Sequence, residues 1–150
     1  MEPAFIHLML NHLPVLGTLL ATGMLTYGLI RKQEEIIRLS LYLFIGSALA
    51  ALPVFFSGEG AEEAVEHLPG VAEALIEDHE HLAEVAIWLL EGLGLMAIAG
   101  LVLSFRKRLL PLWCAGLLAA LALVTGGVLV QTAHLGGLIR HSEIRPLDQR

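Results

Sequence analysis

Charge is scarce in this chain. Asp, Glu, Lys and Arg make up 16 % of its residues, where a soluble domain carries about 25 %. With a hydrophobic fraction of 56 %, the deficit describes a chain solvated mainly by lipid. Basic residues are the rarer sign, nine against fifteen acids. They form no stripe and no nucleic-acid motif, which leaves nucleic acid without support as a partner. The net charge of −6 is no guide to a basic partner, because nine of the fifteen acids lie between Glu59 and Glu84. Cysteine is nearly absent. The lone Cys114 sits in an apolar run; it has no partner for an internal disulfide or a thiolate cluster and reads as a small buried apolar residue. Met1-Glu2-Pro3-Ala4 lacks the basic start of a secretory leader, and no clean small-residue cleavage site follows, so the first apolar segment is expected to remain as a span. Also missing are a His-Glu-x-x-His pair, a nucleophile–base pair and a phosphate-binding loop. A metalloprotease, a structural zinc site, a hydrolase and a nucleotide enzyme are therefore unsupported.

What the chain has is length of apolar sequence. Its 150 residues suffice for one domain and hold four long apolar segments. Spans are expected at about 5–30, 36–56, 82–105 and 109–130. Each approaches the ~20 residues a helix needs to cross a ~30 Å hydrocarbon core. Lipid offers the backbone no hydrogen-bond partners, so such spans are helical, and no period-two alternation suggests a membrane barrel. The expected fold is an all-α integral membrane four-helix bundle.

Two short basic links, Arg31-Lys32-Gln33-Glu34-Glu35 and Arg106-Lys107-Arg108, join the spans in pairs. With Arg38 they hold six of the nine basic residues. Short basic loops stay cytoplasmic, which places both termini, the acidic loop 57–81 and the tail 131–150 on the outer side. Arg140, Arg145 and Arg150 fall outside in this arrangement and count mildly against it. Within the loop, Ala61–His67 reads as a short acidic helix stopped by Pro69-Gly70. Apolar residues then recur at Val71, Ala72, Leu75, Ile76, Leu82, Ala83 and Ala86, a helical period that runs the third helix straight into its span. Gly92, Gly94, Ala97, Ala99 and Gly100 are small residues of the kind that let membrane helices approach closely.

The informative feature is histidine. His7, His12, His67, His79, His81, His134 and His141 all fall at or beyond the outer boundary, and none lies near a basic link. Imidazole there can ligate haem iron or another metal, relay protons, or simply sit at the interface. Random placement would spread seven histidines over both faces. His79 and His81 are two apart and point to nearly opposite sides of a helix. His79 shares a small apolar face with Ala72, Ile76, Ala83, Ala86 and Leu90, and is the favoured ligand. His12 opens a span in Asn11-His12-Leu13-Pro14. His134 and His141, seven apart, share a face. Gly136-Gly137 between them either grants a ligand close backbone access or ends the helix. The candidate metal set is His12, His79 and His134, with His67 and His141 next. Two histidines from different helices suit bis-histidine haem b. Met9 keeps copper open, although packing is its simpler role.

Glu91 lies about ten residues into the third span, where a charge is costly. With Glu84 and His81 on the same face, it is a candidate for a proton path or quinone pocket; alternatively it is protonated and bonded to a neighbouring helix. Thr18, Thr22 and Thr26 form a ladder that reads as bonding to the helix backbone. Asn11, Glu59 and Gln131 are candidates to orient a ligating imidazole or hold a cofactor.

Asn11-His12-Leu13-Pro14-Val15, Gly58-Glu59-Gly60-Ala61-Glu62-Glu63, His67-Leu68-Pro69-Gly70, His79-Glu80 and Ala133-His134-Leu135-Gly136-Gly137 resemble the motifs of an uncharacterised family of bacterial four-helix inner-membrane proteins, grouped only as a domain of unknown function. The resemblance covers nearly the whole chain. It implies four spans, a bacterial inner-membrane location and recurrent polar positions at His12, Glu59, His67, His79 and His134. It supplies no activity.

The expected function is a membrane redox subunit. It binds haem b, or copper or another metal, through outer-face histidines. It exchanges electrons with the quinone pool or an outer-face acceptor, beside other membrane or periplasmic redox subunits. The alternatives are a cofactor-free structural or assembly subunit of a larger membrane complex, and a small proton or metal-ion transporter using Glu91. An electron-transfer or accessory subunit is favoured over a stand-alone enzyme.

Overall fold

The computed structural model describes residues 3–67, 71, 73–106 and 110–141. Six helices account for nearly all of them: α1 Pro3–Leu10, α2 His12–Arg31, α3 Glu34–Phe56, α4 Gly58–Glu63, α5 Glu73–Arg106 and α6 Leu112–Arg140. Among the described residues there is no strand. Four helical stretches are long and apolar enough to cross a membrane: Ala4–Arg31, Glu34–Phe56, Glu73–Arg106 and Leu112–Ile139. The fold is the expected all-α four-helix bundle.

α1 and α2 are almost one rod. Pro14 has no N–H for the Leu10 carbonyl, and its ring crowds that carbonyl, which places the interruption at Asn11. Asn11 itself keeps helical angles and bonds back to His7 O at 2.9 Å. α2 ends on Lys32, whose φ of 52° is left-handed. The Gln33 N–H then reaches Gly28 O at 2.9 Å, closing the helix in the manner of a Schellman turn. Gly28 lets the hairpin fold back, since a Cβ there would stand 2.9 Å from Ile37 Cγ1. Glu34 and Glu35 open α3, where the helix dipole favours acids.

The bundle is a ring in which α3 packs between α2 and α5, and α6 packs between α5 and α2. Its core is built of small residues, including Ala21, Ala48, Ala86, Ala97 and Ala122, around Phe44, Leu25, Leu41, Leu90, Leu93 and Leu118. The large apolar side chains instead cover the outside: Leu16, Leu49, Trp88, Leu95 and Trp113 are all exposed. A soluble protein would bury such a set; here it faces lipid.

Three boundaries differ from the sequence expectation. The acidic helix occupies Gly58–Glu63, not Ala61–His67, and Ala64–His67 form turns. It starts at once because Ala61 N–H bonds to Ser57 O at 3.1 Å. The expected stop at Pro69-Gly70 lies outside the described residues. Next, α5 begins at Glu73, within the expected loop, as the period from Leu75 and Ile76 required. At ~1.5 Å per residue it reaches well beyond the span expected at 82–105. Last, α6 continues to Arg140, ten residues past the expected end of the fourth span at 130. Gly136 and Gly137 do not terminate it: neither takes a left-handed φ, and Leu138 beyond them is buried against the bundle.

Candidate functional site

The buried stripe of α2 runs through Pro14, Thr18, Ala21, Leu25 and Gly28. Stepping back by three and four residues from Pro14 reaches Asn11 and His7, so those two share the stripe's inward face. His12 follows His7 by five residues, about 140° further round the helix, and is exposed. On α5 the stripe through Ala86 and Leu90 runs back to His79. The two inward imidazoles, His7 and His79, meet at one end of the bundle. Their ring centroids are 6.5 Å apart, with the planes at 74°.

Each ring is held by a main-chain carbonyl. His7 Nδ1 donates to Val54 O at 3.0 Å. Val54 lies in the last turn of α3, where carbonyls lack a helical N–H. The same carbonyl accepts from Ser57 Oγ at 2.9 Å, and Ser57 Oγ is 3.4 Å from His7 Nδ1. His79 Nδ1 donates to Thr132 O of α6 at 2.9 Å. A carbonyl only accepts, so both rings carry their proton on Nδ1, and in the neutral form each Nε2 keeps its lone pair. Both side chains are half-buried.

The absent side chain at 136 makes room for one ring, whereas Gly58 leaves only ordinary contact distance to the other. A Cβ on Gly136 would lie 3.1 Å from His79 Cε1, and one on Gly58 would lie 4.0 Å from His7 Cε1. One helical turn from His7, Asn11 Oδ1 is buried without a hydrogen-bond partner. Across the top, the Glu62 carboxyl of α4 lies beside the Glu80 carboxyl of α5. Hydrogen bonding to Glu80, then desolvation and the Glu80 charge, hold the Glu62 carboxyl above the usual carboxylate range.

The other sequence candidates are not gathered here. Among the described residues, no three His, Cys, Asp or Glu side chains converge as a metal set, so His12, His79 and His134 do not form one. His134 is exposed, about 200° round α6 from Thr132. His81 is exposed, opposite His79 as its spacing required. His67 is exposed beside Glu66, with Nε2 to Oε1 at 3.2 Å. His141 is exposed at the end of α6, its N–H on Gly137 O at 3.0 Å. Glu59, Glu84 and Gln131 are exposed. Glu91 is half-buried with Oε1 unpartnered, roughly 18 Å along α5 from His79. Met9 is exposed. The threonine ladder is partly as expected: Thr22 and Thr26 hydroxyls bond the carbonyls of Thr18 and Thr22 at 2.7 and 2.8 Å. The Thr18 hydroxyl is buried without a partner.

Comparison with protein-family models, curated proteins and solved structures yields no match for this chain.

Proposed function

We propose that this protein is a membrane redox subunit in which His7 and His79 would hold haem b. The observation that carries the proposal is the paired tethering of the two facing rings, His7 to Val54 O and His79 to Thr132 O. Ligating histidines commonly donate their second ring N–H to a carbonyl or carboxylate, which fixes the tautomer and raises ligand basicity. The two ring centroids lie 6.5 Å apart, near enough for both side chains to hold one group.

The donor count favours haem over a bare ion. Tetrahedral zinc takes four ligands, commonly three of them from protein, and among the described residues no such trio converges. Haem brings four nitrogens of its own and asks the protein for two. The orphaned Asn11 carboxamide beside His7 is a feature that a resident group would use. Bound haem would supply one-electron transfer; the chain would supply ligation, a fixed tautomer and shelter from water.

The orientation proposed is N-out and C-out, because the basic links Arg31–Lys32 and Arg106–Arg108 mark the cytoplasmic end. The histidine end then faces outward, toward a periplasmic acceptor in a bacterial inner membrane, in keeping with the family resemblance. The proposed electron source is the quinone pool; an open apolar groove between α2 and α6, lined by Leu19, Thr22, Leu123, Gly126 and Val130 among others, would take an apolar chain of a quinone or of a lipid alike.

The test is haem and metal analysis of the protein purified in mild detergent, with four variants. His7→Ala and His79→Ala are expected to lose the bound group, and His12→Ala and His134→Ala to retain it. Retention in all four, or loss only in the exposed pair, overturns the assignment. An empty wild-type protein of full stability favours the structural subunit.

A further inference from the structure

We infer that Gly136 is a positioning residue for His79. The inference rests in part on the proposed ligation, but its core is the unliganded geometry. Two adjacent glycines inside a helix call for a reason, since glycine is a poor helix former. Backbone freedom is not the reason: neither Gly136 nor Gly137 adopts a left-handed φ, and α6 passes through both without interruption. Space is the reason, and only at one of them. A Cβ on Gly136 would lie 3.1 Å from His79 Cε1, 3.3 Å from Nδ1 and 3.9 Å from Nε2, whereas one on Gly137 would meet nothing within 4 Å.

The threatened ring is not free to give way. Its Nδ1 is tied to Thr132 O at 2.9 Å, and Thr132 lies one helical turn before Gly136 on the same face. The carbonyl that captures the ring and the missing side chain that admits it form one device on α6. A methyl group at 136 pushes the imidazole away from Thr132 O and releases the constraint on its tautomer. The His7 ring centre lies 6.5 Å from that of His79, so displacement also changes the spacing of the pair.

The experiment compares Gly136→Ala with Gly137→Ala by two readouts. The first is 15N-histidine NMR of the haem-free protein in detergent micelles. Wild type and Gly137→Ala are expected to show a slowly exchanging Nδ1–H on His79, and Gly136→Ala to lose it. The second is haem titration, in which Gly136→Ala is expected to weaken binding by about 10–100-fold, the usual effect of disturbing a group behind a ligand, with a shifted midpoint potential. Should Gly136→Ala fold poorly, the double variant His79→Ala/Gly136→Ala removes the crowded ring and is expected to recover the stability of His79→Ala alone; no recovery overturns the inference. An unchanged His79 Nδ1–H in Gly136→Ala also overturns it. Loss of that resonance in a protein whose wild type takes up no haem upholds the positioning role and overturns the haem reading instead.

Discussion

The guanidinium of Arg38 donates a 2.9 Å hydrogen bond to the main-chain carbonyl of Ser104 and lies 4.9 Å from the centre of the Phe105 ring. Ser104 is in the last turn of α5, where carbonyls lack helical donors, so one side chain of α3 closes the far end of α5. Arg38→Ala is expected to cost about 1.5–3 kcal/mol, the range for a hydrogen bond to a charged group. Arg38→Lys recovers only part of this, because lysine lacks the planar group that stacks on a ring. The Glu34 ion pair at 3.5 Å contributes little at this exposure, and Glu34→Gln stays within about 0.5 kcal/mol of wild type. Unfolding in mixed micelles reads all three.

Helix spacing in the middle of the bundle depends on Gly94. A Cβ there would stand 2.7 Å from Ala48 Cβ, an atom fixed to the α3 backbone, so only separation of the helices relieves it. Gly94→Ala is expected to destabilise by about 1–3 kcal/mol, as overpacking does. A Cβ on Gly92 would meet nothing within 4 Å, and Gly92→Ala is the neutral control. A neutral Gly94→Ala in the same unfolding assay would show that α3 and α5 do not pack at this distance.

The carboxyl pair Glu62–Glu80 gives the histidine end a pH dependence. Hydrogen bonding to Glu80 holds the Glu62 carboxyl above its ordinary range, so the folded state binds this proton more tightly than the unfolded state. Stability from the pair is full below the ordinary carboxylate range and is lost as pH rises through the raised value. Amide protection in α4, after correction for the intrinsic pH dependence of exchange, is therefore expected to fall between acidic and neutral pH. Glu62→Gln keeps a donor and removes the charge, and should flatten that profile. A profile that steepens in Glu62→Gln would contradict the pairing.

Much of this fold is legible in the sequence, because hydropathy over some twenty residues reports the solvent around a helix. The inward placement of His79 is legible too, from the small apolar residues sharing its face. His12 sits in the more conspicuous Asn11-His12-Leu13-Pro14 motif, yet the ring that lies beside His79 is that of His7. The signal was nevertheless present: the buried stripe of α2, continued backward through Asn11, lands on His7. His134 was a misleading candidate for a different reason. What α6 offers the site is the carbonyl of Thr132 and the absent side chain of Gly136, and neither advertises itself as a residue type with chemistry. The end of α6 was likewise hidden, since paired glycines read as a stop until their spatial neighbour is known.

The most direct test of the paired histidines is a dithionite-reduced minus oxidised visible spectrum of the protein, purified in mild detergent after expression with haem supply. A six-coordinate haem held by His7 and His79 predicts a sharp α-band of low-spin haem b, abolished in both His7→Ala and His79→Ala. A featureless spectrum from a folded protein, or an α-band that survives both substitutions, would contradict it.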